Sequence, residues 1–253
     1  MKPYAFFLDL DGTYLSGNHI PEENIVAIKE AQKKGHFVCI NTGRSYAGIG
    51  DKVLHSAPFD GVVAGLGTDI RIHGESVYTK RLQPETAAKL VEYYLSIPGE
   101  NLYLSGENVC FVTNPDFASD IHVVIHSAEE YREKYIKAPV NKFTATVHPE
   151  KSAIEPYREE LNLYYYPKLI EGTVAGCNKA TGILVAAKKL GVPIERCVAI
   201  GDSANDVDVL SAAGIAVVMG NHEPGMEKYA DFITDTVENA GVAKAILKLI
   251  EEN

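Results

Sequence analysis

The residues best equipped for chemistry in this 253-residue chain are carboxylates and one ammonium, set at the ends of apolar runs. Asp9 and Asp11 follow the run Tyr4–Leu8, and Asp202 and Asp206 follow Cys197–Ile200. Thr42 comes just after Phe37–Ile40, and Lys179 stands where a new strand–helix rhythm begins. Facing carboxylates repel one another unless a cation or a shared proton neutralises them. Hard oxygen donors select Mg2+ over zinc, and Mg2+ takes one or two carboxylates together with water and substrate phosphate. A lysine supplies a compact charge for phosphoryl oxygens, and a threonine hydroxyl can donate to another. Phosphoryl transfer needs in-line positioning and neutralised equatorial oxygens above all. A carboxylate serves as its nucleophile when the intermediate is an aspartyl-phosphate. Taken alone, Asp11-Gly12 also suits a strand-end turn, and Asp206 also suits a helix cap.

A parallel sheet beneath these groups would bring them to one edge by its ordinary topology. The run Tyr4–Leu8 is a predicted strand, followed by a helix from about Pro21 with Glu22 and Glu23 in its first turn and Lys33-Lys34-Gly35 at its end. Strands over Phe37–Ile40 and Gly61–Ala64 continue the rhythm. Short continuous apolar strands alternating with helices indicate a parallel sheet covered on both faces. Ligands of such sheets bind beyond the carboxyl ends of the strands. Ile70–His73 and Val77–Arg81, around Gly74-Glu75, read as a hairpin. From Gln83 the pattern becomes α+β: helices over Pro84–Leu95, Ala128–Lys137 and Ile154–Glu160, and a strand-like Leu163–Tyr166. After Lys179 the first rhythm returns: a helix over Ala180–Leu190, a strand Cys197–Ile200, a helix Asp206–Ala213, a strand Ile215–Met219 and an amphipathic C-terminal helix. The expected fold is α/β, a Rossmann-like parallel-sheet core over residues 1–82 and 177–253 with an inserted α+β cap over 83–176.

The formal net charge of −10 argues against a nucleic-acid partner, which needs a basic face. Small phosphate esters stay open, because local cations and a divalent metal outweigh a diffuse negative field at close range. No apolar stretch approaches the ~18 residues of a membrane span, and Asp9 interrupts the N-terminal run too early for a signal-peptide core. A soluble, cytoplasmic protein is expected. Cys39, Cys110, Cys177 and Cys197 have neither CxxC nor zinc spacing and are expected as reduced buried thiols. Gly65-Leu66-Gly67 lacks the third glycine of a dinucleotide loop and reads as a turn. The rings of Tyr164, Tyr165 and Tyr166 are expected to alternate in packing on the cap sheet.

Asp9-Leu10-Asp11-Gly12-Thr13 resembles the first motif of the haloacid dehalogenase-like phosphatases. Asn41-Thr42-Gly43-Arg44 resembles the second, Lys179 the third, and Gly201-Asp202-Ser203-Ala204-Asn205-Asp206 the fourth, in family order along the whole chain. The Gly-Asp-x-x-Asn-Asp form, with Ala212-Ala213-Gly214 and Met219-Gly220-Asn221 after it, resembles the Cof-type sugar-phosphatase branch. The resemblance implies Asp9 as nucleophile and Asp11 as acid and then base. It implies Mg2+ on the Asp9 carboxylate, the Asp11 backbone carbonyl and Asp202. It gives phosphate or substrate contacts to Thr42, Gly43, Arg44, Lys179 and Asn205, and support of the metal to Asp206. Tyr14 departs from the smaller aliphatic residue usual in the family, and is expected near a mobile flap.

Thr42 follows Asp9 too closely for a domain to intervene, whereas more than half the chain separates Thr42 from Lys179. That resembles members capped between the second and third motifs and disfavours those capped earlier. Hydrolysis of small phosphorylated metabolites, sugar phosphates foremost, is the reading that follows. The motifs leave open transfer to a second sugar hydroxyl, as in phosphomannomutases. A non-catalytic receiver-like module is disfavoured by the chain's length and by Asp11. The leaving group and the oligomeric state are not written in the motifs.

Overall fold

Short apolar runs become strands wherever both of their faces can be covered. The computed structural model describes residues 2–252. Its strands are β1 (Ala5–Leu8), β2 (Phe37–Asn41), β3 (Gly61–Ala64), β4 (Asp69–Ile72), β5 (Glu75–Thr79), β6 (Leu102–Gly106), β7 (Cys110–Val112), β8 (His122–Val124), β9 (Val140–Ala145), β10 (Leu161–Tyr165), β11 (Ile170–Val174), β12 (Cys197–Gly201), β13 (Ile215–Val218) and β14 (Phe232–Ile233). Two units form: one takes the chain to Gly43, Asp51–Tyr78 and Asn178 onward; the other takes Arg44–Gly50 and Thr79–Cys177.

The first unit holds an eight-stranded sheet in the order β14-β13-β12-β1-β2-β3-β4-β5. From β14 to β3 every pairing is parallel, and β4 turns back antiparallel on β3. β1 and β3 are buried at every residue, as a sheet covered on two faces requires. Helix Lys179–Leu190 opens with a capping box, in which Asn178 accepts from the Thr181 amide and the Thr181 hydroxyl accepts from the Asn178 amide. It closes on Gly191 at φ +71. Leu8 lies level with Ile40 on one side and Ile200 on the other. The chain therefore leaves three neighbouring strands at one edge, carrying Asp9, Thr42 and Asp202.

The hairpin is β4–β5, with β4 one residue and β5 two residues earlier than the expected Ile70–His73 and Val77–Arg81. Its two-residue turn is His73-Gly74, with φ of +51 and +81, rather than Gly74-Glu75. A type I′ turn wants positive φ at both central positions, and glycine takes the second at no steric cost.

The second unit is a six-stranded sheet, β10-β11-β9-β6-β7-β8, antiparallel except where β8 lies parallel to β7. Helix Pro84–Leu95 buries Ala88, Val91 and Tyr94 in an apolar cluster with Leu104, Phe111 and Phe143. The expected helix Ala128–Lys137 is α-helical only to Glu130, and a wider π-type turn takes Tyr131–Tyr135. That turn sets the Tyr131 and Tyr135 rings 5.8 and 5.0 Å from the Phe111 ring. The expected helix Ile154–Glu160 is instead Lys151–Ile154 followed by a 3-10 turn, Glu155–Tyr157. Pro156 explains the break, since its ring clashes with the carbonyl four residues back. All four cysteines are buried free thiols, as expected. Among the described residues no helix is long and apolar enough to cross a membrane.

Candidate active site

Asp9 is the first residue beyond β1. Its amide donates to the Ile200 carbonyl of β12 at 3.0 Å, which extends the ladder by one bond. Its side chain is buried, 6% exposed. The chain then turns tightly, with the Tyr14 amide on the Asp9 carbonyl and the Leu15 amide on the Leu10 carbonyl. Gly12 sits at φ +79, and a Cβ there would lie 2.5 Å from Asp202 Oδ2. Only glycine meets both demands. Asp11, beside it, is exposed.

Lys179 enters from the first turn of its helix with a side chain that is 0% exposed. Its Nζ lies 2.8 Å from Asp9 Oδ1, 2.7 Å from Asp206 Oδ1 and 3.0 Å from Asn205 Oδ1. An ammonium has three protons, and these acceptors take all of them. Asp206 uses its other oxygen to accept from the Asp202 and Ser203 amides, which fixes the turn after β12. Gly201 leaves room for this, because a Cβ there would strike the Asp206 carboxyl. Thr13 Oγ1 donates to Asp202 Oδ1 at 2.7 Å.

One carboxylate oxygen each from Asp9, Asp202 and Asp206 gathers within 4.8 Å of the others. Three carboxylates against one ammonium leave two uncompensated charges in a buried place. Burial pushes Asp9 up to about 7 despite the pull of Lys179. Burial likewise pushes Asp202 up to about 6 against the Thr13 hydrogen bond. Burial alone would lower the Lys179 ammonium, but the Asp206 and Asp9 carboxylates hold it above the ordinary lysine range. The Oδ2 atoms of Asp9 and Asp202 accept no hydrogen bond among the described residues. Two spare hard oxygens and two excess negative charges fit a divalent cation of the Mg2+ kind.

Thr42 and Gly43 lie one and two residues beyond β2. The Thr42 amide donates to the Val63 carbonyl at 2.9 Å, and its carbonyl accepts from the Leu66 amide at 3.2 Å. Leu66 holds φ +54 in the Gly65-Leu66-Gly67 turn, a left-handed conformation that costs a branched residue ~1–2 kcal/mol. The turn expected from Gly65-Leu66-Gly67 is thus present, and it braces the Thr42 loop.

Arg44 counts with the second unit, where a pocket of about 260 Å3 is lined by Arg44, Ser45, Tyr103, His122, Lys142 and Thr144. Lys142 Nζ lies 2.6 Å from Glu171 Oε1, and the Tyr103 and His122 rings are 5.2 Å apart. The Tyr14 ring is fully buried against Phe59 at 5.4 Å, and its hydroxyl is 2.9 Å from Ser56 Oγ. A small aliphatic residue would leave that space empty. Of the tyrosine triplet, Tyr165 is 59% exposed and Tyr164 and Tyr166 are half-buried, so the rings alternate.

Two site contacts had no role in the sequence. Thr13 stood in the first motif unassigned, although its hydroxyl holds Asp202. Asn221 stood in Met219-Gly220-Asn221, and its Nδ2 donates to the Gly12 carbonyl at 2.7 Å. No local signal marks that second contact, because 209 positions separate its partners.

A model of the haloacid dehalogenase-like hydrolases matches residues 6–246. Among curated proteins the chain is similar to the 5-amino-6-(5-phospho-D-ribitylamino)uracil phosphatase YcsE of Bacillus subtilis (strain 168), 28% identical over 94% of this chain and 92% of the relative. A second phosphatase of that substrate from the same organism, YitU, is 27% identical over 96% of both chains. Among solved structures the chain is similar to BT1666 of Bacteroides thetaiotaomicron, described as one of the phosphatases of the superfamily. That likeness has a TM-score of 0.80 and 26% identity, over 98% of this chain and 95% of that one.

Proposed function

Because the chain belongs to the haloacid dehalogenase-like hydrolases and is a phosphatase of phosphate monoesters, we propose that it is an Mg2+-dependent enzyme of small phosphorylated metabolites working through an aspartyl-phosphate. The observation that carries this reading is the buried Asp9–Asp202–Asp206 cluster around Lys179, with two carboxylate oxygens to spare at the sheet edge. Asp9, Asp202 and the Asp11 carbonyl would hold the ion, which supplies charge neutralisation for the phosphoryl oxygens.

An Asp9 carboxylate oxygen attacks phosphorus while the bond from phosphorus to the leaving oxygen breaks. That oxygen takes the proton of the Asp11 carboxyl and departs as an alcohol. Water then attacks phosphorus and gives its proton to the Asp11 carboxylate. The bond between phosphorus and Asp9 breaks, so inorganic phosphate leaves and both aspartates are restored. Exposure of Asp11 suits a group that meets the leaving alcohol and then water, and burial of Asp9 suits a nucleophile shielded from solvent. Lys179 exchanges its weakest partner, the Asn205 carbonyl oxygen, for a phosphoryl oxygen. Thr42 donates to another.

The leaving group is a sugar or sugar-alcohol chain in the cytoplasm. The names of the two curated relatives, both phosphatases of a phosphoribityl compound, support that class. So does the hydroxyl- and cation-lined pocket of the second unit, whose Arg44 continues the chain directly from Thr42 and Gly43. We expect specificity to be read there, within a cap of about residues 83–176 joined by Arg44–Gly50.

The test is phosphate release from sugar phosphates, ribityl phosphates, nucleotides and pyridoxal phosphate, with Mg2+ and with a chelator. Release that needs Mg2+ and is strongest for the polyol esters supports the reading. No release at any Mg2+ level overturns it, and strict need for a sugar bisphosphate would mean transfer rather than hydrolysis.

A further inference from the structure

We infer that Asn221 is the positioning residue for the acid–base step, acting as a two-handed clamp on the turn that carries Asp11. Its Nδ2 donates to the Gly12 carbonyl at 2.7 Å, and its Oδ1 accepts from the Val237 amide at 2.8 Å. The two partners lie on different loops, so the amide spans the gap between them.

The turn needs such a clamp because its pivot is soft. Asp9 is fixed by the ladder bond to Ile200 and by Lys179. Thr13 is fixed by its hydroxyl on Asp202 and its amide on the Leu10 carbonyl at 3.3 Å. Gly12 lies between them at φ +79, with no side chain to restrict either torsion. Its amide is held by the Leu15 carbonyl at 3.0 Å, which secures the peptide plane shared with Asp11. Its carbonyl belongs to the next peptide plane, which the Thr13 amide holds through the long 3.3 Å bond to the Leu10 carbonyl and Asn221 holds through the short one to the Gly12 carbonyl. Loss of the Asn221 bond leaves that plane on its one long bond, which loosens the rotation between the two planes and lets Asp11 drift, while Asp9 stays where β1 puts it.

The base of the clamp is itself anchored. The Met219 amide donates to the Gly201 carbonyl at 3.0 Å, and the Gly220 amide donates to the Asp235 carbonyl at 3.0 Å. The Glu223 amide donates to the Asp202 carbonyl at 2.8 Å, and Glu223 Oε2 accepts from the Ala204 amide at 2.9 Å. Segment 219–223 thus ties the loop of the nucleophile, the loop of Asp202 and the loop at 235–237 into one frame.

This inference rests on the assignment of Asp11 as acid and base. A mere structural role for Asn221 would slow every substrate alike. A role in aiming Asp11 slows most those esters whose leaving oxygen needs a proton. The experiment compares single-turnover release of p-nitrophenol and of phenol from the two aryl phosphates, which differ in leaving-group acidity and little in size. Asn221→Asp is nearly isosteric, keeps an acceptor for the Val237 amide, and sets an oxygen against the Gly12 carbonyl. Asn221→Ala is the second variant, and thermal melting checks the fold of each.

General acid catalysis contributes ~10²–10⁴-fold, so a misaimed acid should forfeit about 10–100-fold on phenyl phosphate. Release of p-nitrophenol should change less than about threefold. Equal losses on both esters, or none on either, overturn the clamp. Asp11→Asn serves as the reference and should give the same pattern in stronger form. If Asp11→Asn has no leaving-group dependence, the acid–base assignment itself falls. If it has one and Asn221→Asp does not, only the clamp falls.

Discussion

Replacing Lys179 by methionine would leave Asp9 and Asp206 buried around a missing cation. The Lys179 side chain is 0% exposed and those of Asp9 and Asp206 are 6% and 1% exposed, so water cannot screen the loss. Removing one partner of a buried ion pair costs ~3–5 kcal/mol. The lower end is expected, because burial already holds Asp9 at about 7 and, without Lys179, it takes up a proton at neutral pH. A chain of this size loses ~2–4 °C of melting temperature per kcal/mol. Lys179→Met should therefore melt ~6–12 °C below the parent in chelator at pH 7. Phosphate release should fall at least ~10³-fold, since a protonated Asp9 is no nucleophile and a charge facing the phosphoryl group is gone. Calorimetry and a phosphate-release assay measure the two effects. Lys179→Met combined with Asp206→Asn restores the charge balance of the cluster and should recover more than half of the lost stability without recovering activity. A single variant melting within 2 °C of the parent would refute the view that this ammonium holds the carboxylates together.

Asp9 and Asp202 are raised to about 7 and 6, so the metal-free folded state binds more protons than the unfolded chain between pH ~4 and 7. Their contribution to stability is present below the unfolded carboxylate value and is lost as pH rises through 6 and 7. Mg2+ should accordingly raise the melting temperature more at pH 8 than at pH 5, by a factor visible in differential scanning fluorimetry. Tyr14→Phe removes the bond to Ser56 and should cost ~1 kcal/mol in urea unfolding while leaving kcat and KM unchanged. Gly12→Ala would press a methyl against Asp202 at positive φ, and should cost ~1–3 kcal/mol and weaken Mg2+ in calorimetric titration at least tenfold. Tyr103→Ala should raise KM for the best polyol phosphate about tenfold and barely alter p-nitrophenyl phosphate turnover.

The sheet that positions the site was readable because parallel strands buried on both faces are continuous apolar runs, and β1, β2, β3 and β12 fall within a residue of the expected spans. Asp9, Lys179, Asp202 and Asp206 converge because the strands ahead of three of them end level. The chain does not advertise contacts that depend on close approach between distant segments. Asn221 on Gly12 and Thr13 on Asp202 join residues about two hundred positions apart, and neither has a periodicity to betray it. The burial of Tyr14 is of the same kind: its partners Phe59 and Ser56 come from a segment some forty positions on, so the motif alone does not show them. In the second unit, helix periodicity ran on through Pro156 and past Glu130, where proline geometry and ring packing ended it.

The chain passes between its two units four times, at Gly43–Arg44, Gly50–Asp51, Tyr78–Thr79 and Cys177–Asn178. A recombinant exchange of substrate preference between relatives must respect all four junctions. Transplanting residues 79–177 alone would seat a foreign sheet on the resident turn Tyr46–Ile49, with Ile49 buried and Ser45 Oγ 3.8 Å from Cys110 Sγ. The module is thus built from a seven-residue excursion and a ninety-nine-residue one, and a change in either is felt by the packing of the other.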